Sequence, residues 1–357
     1  MRRIILRLHL VAALAAGAFL AVLGGTGAIM AFEPELDHLL HRPLWHVTPA
    51  TPQAAALTLA ELGEAASKTQ EGQRPTGFLL STRPDLAYQV VFRGRSVFVD
   101  QYRGTVLGTR ASGPDFLSRV HQLHLRLLIQ NESDTGKTIV KWVSVAMVFL
   151  LASGLYLWWP ARRVTVRSPR GTRRWWFDLH NAIGVWSFVF IAAATVTGLA
   201  IGFDEQFVPR IYAVTRSAPA VMYARPPRFS VVPSGSPIGP DRAVAIARAA
   251  LPGASPISLQ IPPPTGVYAI AARYPEDLTP GGRSRIYVDQ YSGAVLIAEG
   301  SRTAPAGSRI ITLNRALHTG DVFGMASKIV MSVASLAVVM QLISGVVMWL
   351  RKPDAAL

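Results

Sequence analysis

The chain alternates four long apolar stretches with polar regions. The apolar stretches cover residues 8–30, 139–159, 183–203 and 329–350. Each of them has the roughly 20 apolar residues that a helix needs to cross a bilayer. The pattern therefore predicts four membrane-spanning helices. One long polar region lies between helices 1 and 2, and a second lies between helices 3 and 4.

Each long polar region combines a helical pattern with short strand-like runs. The helical patterns cover residues 57–67 and 242–250. Three or four strand-like runs follow each helical pattern; these runs are 77–81, 86–92, 96–100 and 105–107 in the first region, and 257–261, 267–273, 285–289 and 294–297 in the second. One helix on a small antiparallel sheet is the simplest way to bury both apolar faces, so each region is predicted to form an α+β module.

The two halves of the chain repeat the same order of elements. The segment VDQYRGTVL (99–107) returns as VDQYSGAVL (288–296), and Gly104 is placed where a turn between strands needs a positive φ. Such self-similarity indicates a tandem repeat. The predicted segments are helix 1 at 1–32, a first module at 33–136, helix 2 at 137–160, a loop at 161–178, helix 3 at 179–203, a second module at 204–322, helix 4 at 323–351 and a tail at 352–357.

Arginine and lysine positions predict the orientation of the chain. The loop at 161–178 contains six arginines, and both chain ends are also basic. Positive residues near helix ends favour the cytoplasmic side. We therefore expect both termini and this loop in the cytoplasm and both modules outside, which in a bacterial inner membrane is the periplasm. The formal net charge of +15 is attributed mainly to these edges and to anionic lipid, so no nucleic-acid partner is predicted.

The first apolar stretch has two possible interpretations. Arg2, Arg3 and Arg7 before an apolar run are also typical of a cleavable signal peptide. The run is long for a signal peptide, and its counterpart at 183–203 is internal. A retained helix is therefore the preferred interpretation.

Composition limits the chemistry available to the chain. Half of the residues are hydrophobic and 16% are charged, which is usual for a protein with several membrane spans. The chain contains no cysteine, so disulfides, iron–sulfur clusters and thiolate metal sites are excluded. No Gly-rich nucleotide loop, zinc signature or catalytic pair of carboxylates stands out. Any cofactor ligand must be His, Met, Tyr or a carboxylate.

Four histidines occupy equivalent places in the two halves. His9 and His180 begin the first and third apolar stretches, whereas His124 and His318 precede the second and fourth. Two halves inserted in the same orientation are related by an axis along the membrane normal. Equivalent histidines then face each other as two pairs near opposite membrane surfaces. Facing imidazoles are the axial ligands of a b-type haem, and we expect two such haems in a transmembrane electron path.

Other interpretations of the histidines remain open. A single interfacial histidine is more often hydrogen-bonded or lipid-facing than a ligand. His121 is a weaker ligand candidate, because its counterpart in the second half is not histidine. The cluster of His38, His41 and His46 is interpreted as ordinary loop residues. Small residues in the spans leave room for a planar group or for close helix packing; they include Gly17, Gly24 and Gly184.

Several sequence motifs together indicate a family. They are LRLHL at 6–10, DLHNAIGVW at 178–186, LHTGDVFG at 317–324, the final SGVVMWLRK and the two VDQYxGxVL hairpins. With these motifs the chain resembles the PepSY-associated transmembrane helix family, often called iron-regulated membrane proteins, whose members include inner-membrane ferric-siderophore reductases. The resemblance covers nearly the whole chain.

This resemblance implies haems that pass electrons outward to a ferric siderophore or another ferric chelate, from an electron donor in the cytoplasm or membrane. Reduction to Fe(II) weakens binding by hard oxygen chelators and releases the iron. The implied haem ligands are His9, His180, His124 and His318. The alternative is a non-catalytic PepSY protein that binds or restrains a partner such as a protease.

Overall fold

The computed structural model describes residues 1–49, 51, 54–160, 162, 164–167, 169–221 and 229–351. Arg163 and the predicted tail at 352–357 lie outside these ranges. The described helices are α1 (Arg2–Met30), α2 (Glu33–Leu40), α3 (Arg42–Trp45), α4 (Leu59–Ser67), α5 (Phe116–Arg126), α6 (Thr135–Trp158), α7 (Arg173–Gly202), α8 (Asp204–Thr215), α9 (Pro240–Ala250), α10 (Ala306–Thr319) and α11 (Met325–Leu350). The strands are β1 (Gly77–Leu79), β2 (Tyr88–Phe92), β3 (Arg95–Val99), β4 (Val106–Ala111), β5 (Ser255–Gln260), β6 (Val267–Arg273), β7 (Ser284–Asp289) and β8 (Val295–Glu299).

The chain divides into two compact units. The first comprises residues 1–33, 114–209 and 313–357, and it contains the four long apolar helices α1, α6, α7 and α11. Their length and apolar composition confirm the four predicted membrane helices and make the chain a multi-pass membrane protein. Helix α1 packs against α6 and α11, and α7 packs against the same two helices.

Helix α7 begins ten residues before the predicted apolar stretch. The side chain of Thr172 accepts a hydrogen bond from the backbone N–H of Trp175 at 3.0 Å, which caps the helix at that point. The first turns of α7 therefore contain polar and aromatic residues, which lie before the predicted apolar stretch. As a result, His180 lies inside the helix and not at its start.

Three glycines of the apolar helices serve close helix packing. A Cβ added to Gly17 would lie 2.5 Å from Leu342 Cδ1, and one added to Gly24 would lie 2.5 Å from the backbone oxygen of Ser335. A Cβ on Gly184 would lie 2.9 Å from the Gln341 side chain. All three contacts are with α11. The sequence left two roles open for these glycines, space for a planar group or close helix packing, and at these positions the structure shows close helix packing.

The neighbouring Gly24 and Gly25 provide a test of this packing. We expect Gly24→Ala to lower the melting temperature of the detergent-solubilised protein, because a backbone oxygen cannot move aside and overpacking costs about 1–3 kcal/mol. Gly25 has no heavy atom within 4 Å of its added Cβ, so Gly25→Ala should leave the melting temperature near that of the wild type. Equal melting temperatures for the two variants would contradict the packing described here.

The second unit comprises residues 34–113 and 210–312, and its described residues form one antiparallel sheet of eight strands. Its order is β4-β3-β2-β1-β5-β6-β7-β8. The four strands predicted for each half are present, but the two predicted modules share one sheet. Strand β1 pairs with β5, with Phe78 opposite Leu259. Each of these strands would otherwise be an exposed edge, and their pairing removes both edges.

Helices α4 and α9 contribute to one hydrophobic core with the sheet. The core contains Leu62 from α4, Val244 from α9, and strand residues such as Val90 and Ile286. The carboxylate of Asp241 in α9 accepts hydrogen bonds from the backbone N–H groups of Leu59 and Ala60 at 2.6 and 3.0 Å. A residue of the second half thus caps a helix of the first half.

The repeated VDQY segments form matching turns. Asp100 accepts hydrogen bonds from the backbone of Tyr102 and Arg103, and Asp289 accepts them from Tyr291 and Ser292. The turn glycine Gly104 has φ 69°, as predicted from the sequence, and its counterpart Gly293 has φ 75°. The two aspartates are therefore turn-forming residues.

Candidate functional site

His124 and His318 face each other in the first unit, which contains the four long apolar helices. His124 lies in the last turn of α5 and His318 in the last turn of α10. Their ring centres are 6.4 Å apart, and the ring planes are inclined at 57°. Two imidazoles that bind one metal at about 2 Å through ring nitrogens would have centres roughly 6 Å apart. The spacing fits two imidazole ligands of one shared metal.

His9 and His180 form the second predicted pair. They lie in α1 and α7, two of the four long apolar helices. Along α1, His9 precedes Thr26, the contact of His124, by seventeen residues. At 1.5 Å per residue this places the two pairs about 25 Å apart along the bundle, which is most of the thickness of a membrane core.

Each of the four histidines contacts a hydroxyl group on a neighbouring helix through Nδ1. In the first pair, Thr26 lies 3.0 Å from His124 and Thr197 lies 3.1 Å from His318. In the second pair, Ser153 lies 2.8 Å from His9 and Ser344 lies 2.9 Å from His180. All four hydroxyl-bearing residues are buried.

The hydroxyl protons determine the direction of these hydrogen bonds. Each hydroxyl donates to the carbonyl four residues earlier in its own helix; the distances are 2.7 Å for Thr26, 2.6 Å for Ser153, 2.6 Å for Thr197 and 2.7 Å for Ser344. A hydroxyl has one proton, so its oxygen then accepts and Nδ1–H of the histidine donates. The hydroxyl contacts of all four histidines use Nδ1, and a donating Nδ1–H leaves the lone pair on Nε2 as the one that can bind a metal.

A glycine follows each of the four hydroxyl residues and contacts the same histidine ring. A Cβ on Gly198 would lie 2.9 Å from His318 Cε1, and one on Gly27 would lie 3.2 Å from His124 Cε1. The corresponding distances are 3.5 Å from Gly154 to His9 and 3.8 Å from Gly345 to His180. The glycines beside His124 and His318 are therefore required for ring placement, whereas the other two leave ordinary contact distances.

Burial keeps the facing histidines neutral. It lowers the pKa of His124 to about 4, with a smaller contribution from His318, and it also lowers the pKa of His318. A neutral imidazole is the form that binds a metal. Burial and the hydrogen bonds to the hydroxyls thus both favour the neutral imidazole.

The remaining histidine candidates have other contacts. His121, the weaker ligand candidate, lies 3.0 Å from the Glu33 carboxylate through Nδ1, and this hydrogen bond raises its pKa. His41 bonds to Asp37 at 2.9 Å, and His38 packs against Trp45. Within the described residues, no group of three or more His, Cys, Asp or Glu side chains is arranged to hold a metal ion.

The four histidines stand at repeated positions of the sequence, but the sequence alone assigned no role to the residues that contact them. The signal was present, because Thr26-Gly27, Ser153-Gly154, Thr197-Gly198 and Ser344-Gly345 also recur in the two halves. What the sequence could not show is that each dipeptide lies against one histidine ring.

Comparison with known families gives one finding about the whole chain. The family model described as the PepSY-associated TM region matches residues 6–352. Comparison with curated proteins gives no match. The match includes all four histidines and all four Ser/Thr-Gly dipeptides.

Proposed function

This chain belongs to the PepSY-associated TM family, and we propose that it is a haem-binding oxidoreductase that carries electrons across the bacterial inner membrane to a ferric chelate. The observation that carries the proposal is the 6.4 Å spacing of His124 and His318. The Nδ1–H groups of both rings are directed to hydroxyls, so Nε2 is left for an iron ligand bond.

The donor set favours haem over a bare metal ion. A bare ion bound by protein commonly needs three or four protein ligands, whereas haem needs two ligands from the protein. Each histidine pair would supply two imidazoles. When bound, haem provides a reversible one-electron Fe(III)/Fe(II) couple. We assign His124 and His318 to one haem and His9 and His180 to the other.

The proposed path runs between the two pairs. Arginines near the first residues of α1 and α7 favour the cytoplasmic side for the His9–His180 pair. The His124–His318 pair then lies near the periplasmic surface. The two histidine pairs would hold the electron carriers between a reductant in the cytoplasm or membrane and the external acceptor, and the apolar helices would exclude water between them. The acceptor would be one chelated Fe(III), which one electron converts to Fe(II).

Electron transfer to a ferric chelate can be measured directly. The purified protein is reduced chemically, freed of excess reductant and mixed with a ferric trihydroxamate, while a ferrous-specific chelator traps the product. We expect oxidation of the haem bands and about one Fe(II) per electron lost. The matched control is the gallium(III) trihydroxamate, which has the same charge but no accessible reduction, and it should leave the haem reduced. Reduced haem that persists with the ferric complex would contradict the proposed acceptor.

A further inference from the structure

We propose that Thr26, Ser153, Thr197 and Ser344 are positioning residues that fix the four histidines in the Nδ1–H form and tune the bound iron. The inference rests on the proposed haem function. Its basis is that every hydroxyl donates its proton to a carbonyl of its own helix and faces one histidine within 2.8 to 3.1 Å.

These hydroxyls could also serve only to bond to a carbonyl of their own helix. Serine and threonine in apolar helices commonly bond to the carbonyl four residues earlier, and this bond alone makes them tolerable there. Ser144 donates to Val140 at 2.8 Å and Thr195 donates to Ile191 at 2.7 Å, and within the described part of the chain neither bonds to a histidine. Ser144 and Thr195 thus represent hydroxyls that bond to a carbonyl of their own helix, and they are matched controls for Ser153 and Thr197.

A hydroxyl that accepts from Nδ1–H affects the ligand in two ways. It selects the tautomer with the lone pair on Nε2, and it fixes the orientation of the ring. It also makes the imidazole a stronger electron donor, which stabilises Fe(III) more than Fe(II) and lowers the reduction potential. Loss of the hydroxyl should therefore raise the potential of the haem at that histidine and weaken haem binding by about tenfold.

The structure predicts that the four positions differ in sensitivity. Among the described residues, Ser153 is the one hydrogen-bond partner of the His9 ring. His318 Nδ1, by contrast, also lies 3.1 Å from the carbonyl oxygen of Ala194. This carbonyl can replace the hydroxyl of Thr197 as acceptor. The effect of Ser153→Ala should therefore exceed that of Thr197→Val.

The test compares Ser153→Ala with Ser144→Ala on the same helix α6. Both variants are purified with haem, and the potential of each haem is measured by redox titration monitored by absorbance. We expect Ser153→Ala to shift one of the two haems to a more positive potential, Ser144→Ala to match the wild type, and Ser153→Thr to restore the wild-type potential. A smaller shift in Thr197→Val than in Ser153→Ala would support the predicted order.

Several results would overturn the inference. Haem-loaded Ser153→Ala with the same potentials as Ser144→Ala would show that the hydroxyl serves only helix bonding. A second outcome is loss of haem from Ser153→Ala. In that case haem retained by Ser144→Ala and haem restored in Ser153→Thr would support the inference, whereas a Ser153→Thr variant without restored haem would contradict it. A wild-type protein without haem would instead overturn the proposed function itself, so the two failures are distinguishable.

Discussion

Replacing His318 with alanine is expected to remove about half of the haem bound by each chain. The variant lacks one of the two imidazoles that lie 6.4 Å apart, so His124 alone remains at that site. The His9–His180 pair is distant along the bundle and should keep its haem. The measurement is haem content per chain, combined with a reduced-minus-oxidised absorbance spectrum. Reduction of the ferric trihydroxamate should be lost.

His121→Ala is the matched control for this variant. His121 lies on the same helix as His124, but it bonds to Glu33. We expect this variant to retain both haems. Full haem content in His318→Ala, or an equal loss in His121→Ala, would contradict the assignment of His124 and His318 as a ligand pair.

Replacing Gly198 with alanine is expected to displace His318 without removing it. The added Cβ would lie 2.9 Å from Cε1, 3.5 Å from Nδ1 and 3.8 Å from Nε2 of the ring, so the methyl group would press on the imidazole at Cε1. The ring must move, and with it the hydrogen bond to Thr197 and the direction of Nε2. We expect loss of most of the haem at the His124–His318 pair.

Gly345→Ala separates this steric effect from a general effect of alanine. Gly345 holds the equivalent place beside His180, but its added Cβ would lie 3.8 Å from Cε1, which is an ordinary contact. This variant should keep both haems and the wild-type spectrum. Similar haem loss in Gly198→Ala and Gly345→Ala would contradict the role assigned to the closer contact.

Much of the fold follows from local sequence patterns. The four membrane helices are apolar over more than the length that a bilayer requires, and the strands follow from alternation and glycine turns. The sharing of one sheet by both halves was not predictable in this way. It depends on pairing between β1 and β5, which lie far apart in the chain, and no local pattern specifies that partner.

The candidate site was predicted in part. Repetition alone selected His9, His124, His180 and His318. The sequence left His121 as a second candidate beside His124, because residues three apart share one helix face. The structure distinguishes them, since His124 faces His318 and His121 bonds to Glu33. The Ser/Thr-Gly contacts depend on which helices are neighbours, and a single sequence does not specify that arrangement.

The proposed function requires two haems in this membrane protein, one at each histidine pair. The most direct test is a reduced-minus-oxidised absorbance spectrum of the purified wild-type protein, with haem quantified per chain. We expect b-type bands and about two haems per chain. A colourless protein after expression with sufficient haem would contradict the proposed function and would favour a non-catalytic PepSY protein that binds a partner.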